Sequence, residues 1–186
     1  MNAELIETVT PAGLVIPRIE PVEIVGTDVS NLPGRRLAKY ASEISDGLIP
    51  YKGLMGQMDT RDVRDEMAAG NFALVVDPDS TTLLASARDA GSLSDPQDLQ
   101  EPLPEQTRIV GTWLNFNGAR SGRRVLRAAT NLAAAKPGVN AVVAMVGEEN
   151  TTGLVAMKRA GGKDVGIRAS EKVPGATVIV FQLYRK

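Results

Sequence analysis

A mixed α/β domain is the fold class that this chain predicts, and three observations predict it. The apolar runs 109–116 and 141–146 have strand length, and the apolar residues between them recur at helical spacing, so a helix crosses between two parallel strands. The runs 72–76 and 82–87 flank Asp77-Pro78-Asp79-Ser80, a turn sequence that folds its neighbours into an antiparallel hairpin. No internal repeat is present, so a single sheet has to hold both strand directions.

The elements follow in order. Residues 1–18 read as a flexible N-terminal tail, because Pro11 and Pro17 interrupt the alternation, and 19–186 as a single domain. A strand is predicted at 22–25. Ser30 and Pro33 then open a helix that places Leu37, Tyr40, Ala41 and Ile44 on one face. Gly47, Pro50, Gly53 and Gly56 mark a loop, after which Thr60 caps a short charged helix over 61–69 that Gly70 ends. Beyond the hairpin, 91–105 holds three prolines, several acids and almost no period, which describes a long surface loop that either covers a ligand or is disordered. The strand 109–116, a helix to 135, the stop Pro137-Gly138, the strand 141–146, a helix over 151–160 and strands at 165–169 and 176–183 complete the chain.

Composition narrows the chemistry. A hydrophobic share of 43% with 23% charged residues is that of a soluble globular protein, and a formal net charge of -1 disfavours nucleic acid or a membrane surface as partner. No apolar run approaches the roughly 20 residues that span a bilayer, and residues 1–10 lack the basic start and apolar core of an export leader, so the expected location is cytoplasmic. The chain has no cysteine and no histidine, which excludes disulfides, thiolate metal sites, a cysteine nucleophile and a Ser-His pair. No metal is expected. Catalysis falls to carboxylates, Tyr, Ser, Lys or backbone groups.

One stretch carries a specific signal. In 120–129 the residues Arg120, Arg123, Arg124 and Arg127 share one helical face, opposite Val125, Ala128, Ala129 and Leu132. Gly122 near the helix start lets backbone N–H groups approach a ligand, and those unpaired N–H groups with the helix dipole favour phosphate. A solvated basic face is the plainer reading. There is no Gly-Lys-Ser/Thr loop and no Gly-x-Gly-x-x-Gly, so a nucleotide-binding α/β protein is the weaker alternative.

The segment Gly122-Arg123-Arg124-Val125-Leu126-Arg127-Ala128-Ala129, with Val146-Gly147-Glu148-Glu149-Asn150 and the following Met157-Lys158-Arg159-Ala160-Gly161-Gly162, resembles the GNAT superfamily of N-acetyltransferases. The resemblance covers roughly residues 20 to 186, and the element order agrees with it. It implies a mostly antiparallel central sheet with helices on both faces, and acetyl-CoA as cosubstrate. It assigns Leu114, Asn115 and Phe116 to the pantetheine arm, Arg120, Ser121, Gly122, Arg123 and Arg124 to phosphate, and Asn150 to the thioester end. The acyl group would pass directly to a small-molecule or peptide amine. Where the family places a proton-donating tyrosine this chain has Met157. A second implication is therefore a GNAT-like module that binds acyl-CoA or a macromolecular partner without transfer.

The catalytic groups stay open. Glu105, Glu171 and Tyr184, with Tyr51 as a further hydroxyl, are candidates for proton transfer, each with an ordinary surface or core role as the competing reading. Trp113, the single tryptophan, either walls the acceptor site or packs in the core.

Overall fold

The computed structural model describes residues 5–9, 15–52, 57–116, 118–170 and 174–186. Its first two strands, β1 (Leu5–Val9) and β2 (Val15–Ile19), pair with each other as an antiparallel hairpin outside the main sheet. These two strands fall, but for Ile19, within the stretch 1–18 that the sequence suggests is a tail. Pro17 is accommodated because both strands of a two-stranded ribbon are edges, where a missing N–H can face outward.

Then come β3 (Val22–Val25), α1 (Thr27–Ser30), α2 (Gly34–Leu48), α3 (Thr60–Ala68), β4 (Phe72–Val76) and β5 (Leu83–Ser92). The chain continues through β6 (Thr107–Asn115), α4 (Gly118–Ala134), β7 (Ala141–Gly147), α5 (Thr151–Arg159), β8 (Lys163–Ala169) and β9 (Thr177–Arg185). Strands three to nine form one sheet in the order β3-β4-β5-β6-β7-β9-β8, antiparallel throughout except for the parallel pair β6–β7. The mixed, mostly antiparallel sheet expected from the sequence is present.

Helices cover both faces. Ala128, Ala129 and Ala133 let α4 lie close on Ala73, Ala85, Ala87 and Val142, and Met157 of α5 joins this cluster. On the opposite face Tyr40, Ile44 and Leu48 of α2 and Val63 and Met67 of α3 pack on Phe72, Leu74 and Leu114. The α3 cap is Asp59, one residue before the expected Thr60: its side chain accepts from the Asp62 N–H at 2.8 Å. In the β4–β5 turn, the N–H groups of Asp79 and Ser80 donate to Asp77 and hold its carboxyl below the usual range.

The region 91–105 is packed on the sheet rather than loose. Leu93, Leu99 and Leu103 are buried against Ile109, Val143, Val165 and Val180, an anchoring without period that alternation patterns do not reveal. Its Glu101 N–H donates to the Val165 carbonyl at 3.0 Å, along the outer side of the edge strand β8. Gly166 lets this strap come close, since a Cβ there would stand 2.9 Å from the Gln100 nitrogen.

An ion cluster fastens one end of the sheet. The side chain of Asp89 on β5 is fully buried and accepts from Arg108 Nε at 2.8 and 2.9 Å, with Lys136 Nζ at 2.8 Å. Burial works to raise this carboxyl, yet the hydrogen bonds from Arg108, Lys136 and the Gly91 N–H outweigh it, so it lies below its ordinary value. Lys136 also donates to Asn71 Oδ1 at 2.9 Å, which ties the end of α4 to the start of β4.

Candidate functional site

The parallel pairing of β6 with β7 stops early. It runs from Thr107↔Ala141 to Val110↔Ala144, and beyond it Gly111–115 and 145–147 have no ladder to each other. The cause is visible on the other side of β6. There Arg88 faces Gly111 and Ser86 faces Leu114, so β6 carries one residue more than β5 in this interval. Such a bulge bends its strand and increases the local twist, and here the bend carries β6 away from β7.

The gap opens into a cleft of about 1000 Å³. Trp113, Leu114 and Asn115 line one arm, and Val146, Gly147 and the first turn of α5 line the other. Ile109 and Ala144 lie where the arms meet. Asn150 is the N-cap of α5, its Oδ1 accepting from the Gly153 N–H at 2.9 Å. Gly153 seats that turn on β7, since a Cβ would stand 2.9 Å from Val146 Cγ1. At the far end of β6, α4 begins at Gly118, so unpaired N–H groups of its first turn lie just past Asn115.

The expected cofactor residues are distributed unevenly around this cleft. Leu114, Asn115 and Asn150 line it. Phe116 does not: its N–H donates to the Leu84 carbonyl at 2.8 Å and its ring covers Gly47 of α2. Gly122 lies inside α4 rather than at its mouth, buried against Asn115, and its carbonyl accepts from Trp113 Nε1 at 3.0 Å. Ser121 is buried beside it. Arg124 is taken up by Glu23 of β3 at 2.9 Å, with Arg127 at 3.7 Å from the same carboxylate. Arg120 and Arg123 are exposed and make no ion pair among the described residues.

The proton-transfer candidates fare differently. Glu105 precedes the paired end of β6 and Tyr184 lies opposite Val142 on β9; neither lines the cleft, because the sheet opens at the other end of β6. Glu171 lies outside the described residues. Tyr51 does line the cleft. Trp113 lines the cleft and also packs against the cluster under α4.

Sequence reasoning missed the opposite wall. Asp62, Asp65 and Glu66 of α3 line the cleft with Arg88 of β5. Glu66 lies 3.4 Å from Arg88, and its other oxygen accepts from Asn71 Nδ2 at 2.7 Å. The available signals were the i, i+3, i+4 spacing of the three acids and the pair Arg88-Asp89 inside an apolar strand, which sends one charge to each face. Among the described residues no group of His, Cys, Asp and Glu is arranged to hold a metal ion, and no helix is long and apolar enough to cross a membrane.

No family model matches the sequence, and no curated protein matches it. Solved structures do. An N-acetyltransferase from Staphylococcus aureus Mu50 aligns with a TM-score of 0.62 at 13% identity, over 90% of this chain and 99% of its own. A GNAT-family acetyltransferase from Streptococcus agalactiae 2603 gives 0.61 at 11% identity, over 89% and 96%. A Salmonella typhimurium protein solved with its cofactor acetyl-CoA gives 0.62 at 12% identity, over 90% and 96%. At these identities the fold is what is shared, and this chain has the fold of the GNAT acetyltransferases.

Proposed function

We propose that this chain is an acyl-CoA dependent N-acyltransferase that takes acetyl-CoA and passes the acetyl group directly to an amine. The observation that carries the reading is the early parting of β6 from β7, with the start of α4 just past the free strand edge. A strand edge without a partner offers peptide groups to the amides of a pantetheine arm. The α4 mouth, with Arg120 and Arg123, suits the pyrophosphate. Asn150 lines the cleft, and its capping bond uses the side-chain oxygen and not the amide N–H groups.

In the transfer itself the amine nitrogen attacks the thioester carbonyl carbon, the C–S bond breaks, and the nitrogen loses a proton while the thiolate leaves. No covalent enzyme intermediate is needed, in keeping with a chain that has neither Cys nor His. The carboxylates of Asp62, Asp65, Glu66 and Glu149 line the cleft and are candidate bases, and their charge favours an acceptor that is itself cationic.

Met157 supports a second reading, a module that binds acyl-CoA without transfer. It is 1% exposed and lines the cleft, the resemblance to the family would put it where a tyrosine stands, and a thioether donates no proton. Calorimetry with acetyl-CoA and with desulfo-CoA, followed by transfer to a panel of mono- and polyamines and peptides, tests both. Binding with turnover supports the enzyme; binding without turnover, in the wild type and in Met157→Tyr alike, supports the module. No binding of either nucleotide overturns both.

A further inference from the structure

We propose that Trp113 is a positioning residue: its indole N–H fixes the distance between the free edge of β6 and the start of α4, and so the fit of a ligand that must engage both. This rests on the acyl-CoA reading above. The bulge in β6 is what aims the side chain. Val110 packs under α4, and strict alternation would put residues 112 and 114 on that face as well. Instead Leu114 packs with α2 and α3 on the opposite face, while Trp113 packs under α4, three residues from Val110. Only the extra residue between Gly111 and Leu114 makes that phase change possible.

Once turned, Trp113 donates to the carbonyl of Gly122 at 3.0 Å. A carbonyl inside a helix spends one lone pair on the N–H four residues on and keeps the second, which the indole takes. Gly122 makes the approach possible, because a Cβ there would press on Asn115 Cγ and Nδ2 at 3.2 Å. The start of the second turn of α4 is thus tied to the stretch of β6 that has parted from β7. A CoA molecule bound along both needs them at one spacing, whereas a ligand held by the helix mouth alone does not.

Replacement Trp113→3-benzothienylalanine exchanges the N–H for sulfur at nearly constant shape. The expected result by calorimetry is a CoA affinity lower by about fivefold, the worth of one net hydrogen bond. ADP, which carries the pyrophosphate without the pantetheine arm, keeps its affinity, and Tm falls by no more than about 2 to 4 °C, the worth of that one bond to the fold. Unchanged CoA affinity overturns the proposal, as does equal weakening of CoA and ADP or a large fall in Tm, either of which makes Trp113 a packing residue only. The wild type supplies a second measurement that needs no variant: the emission of this single tryptophan must shift when CoA binds and must stay unmoved with ADP. A wild type that binds ADP yet no CoA overturns the acyl-CoA reading together with this inference, whereas CoA binding without an emission change overturns this inference alone.

Discussion

The two ends of β6 are built on opposite principles. At its start the strand pairs on both sides, and the neighbouring Asp89, Arg108, Lys136 and Asn71 satisfy one another in a buried cluster. At its finish the strand has a partner on one side only, a bulge bends it, and a helix begins just beyond it, whose first N–H groups have no partner within the helix. Where polar groups are satisfied internally they stabilise the fold; where they are left open they can be satisfied by a ligand. The two ends should accordingly separate in experiment, the first moving stability and the second moving affinity.

The largest effect is expected at the paired end. Asp89→Ala removes the buried carboxylate and leaves two cations facing each other, a change that costs about 3 to 5 kcal/mol for fully buried pairs. Arg108 and Lys136 keep 21% and 34% side-chain exposure, which discounts the loss to about 2 to 3 kcal/mol. Tm should fall by about 5 to 10 °C for a chain of this length, with the CoA affinity of the folded protein unchanged. Loss of affinity in step with stability would break the separation of the two ends. The same group gives a pH signature. Because the folded carboxyl titrates below its unfolded value, its contribution is complete well above about pH 3.9 and is lost as pH falls through the folded value. The stability gap between wild type and Asp89→Asn, followed by urea unfolding, should stay constant above about pH 5 and close below about pH 4.

At the open end, Arg120→Ala combined with Arg123→Ala should weaken CoA at least about tenfold and leave Tm nearly unchanged, since charge-assisted phosphate contacts are worth about 1.5 to 3 kcal/mol. Unchanged affinity would move the phosphate away from this helix. The smallest effect sharpens the comparison within one helix face. Arg124→Ala breaks the part-buried pair with Glu23, so stability should drop by about 0.5 to 1 kcal/mol while CoA affinity stays within about twofold. A larger loss of affinity there than at Arg120 and Arg123 would reverse the assignment.

These partitions also show what can be read from residues alone. The order of elements from 22 onward, the one-turn α1 apart, was legible because period, caps and turns are local, and the arginine face of α4 was visible as a face. Its division was not. Glu23 stands 101 residues from Arg124, and no local pattern announces that pair. The bulge was hidden for a related reason: the apolar run of β6 is continuous, so a slip of one residue changes which face each side chain takes without changing the run's composition. Without the bulge in view, nothing in the sequence signals that the Gly122 carbonyl accepts from the Trp113 indole or that Asn115 packs over its Cα. From sequence the helix of α3 is short and charged and no more, because only its packing against α2 turns the acids toward the cleft.

The strap over β8 bears on how this protein behaves in company. The last strand of an open sheet is an invitation for another chain to add to it, and Ile167, 55% exposed on β8, would make the addition adhesive. A backbone bond from Glu101 already occupies that margin beside Gly166, whose missing side chain leaves room for the occupant. The loop between β5 and β6 thereby acts as a built-in chain terminator: it spends one stretch of irregular backbone so that molecules do not polymerise edge to edge.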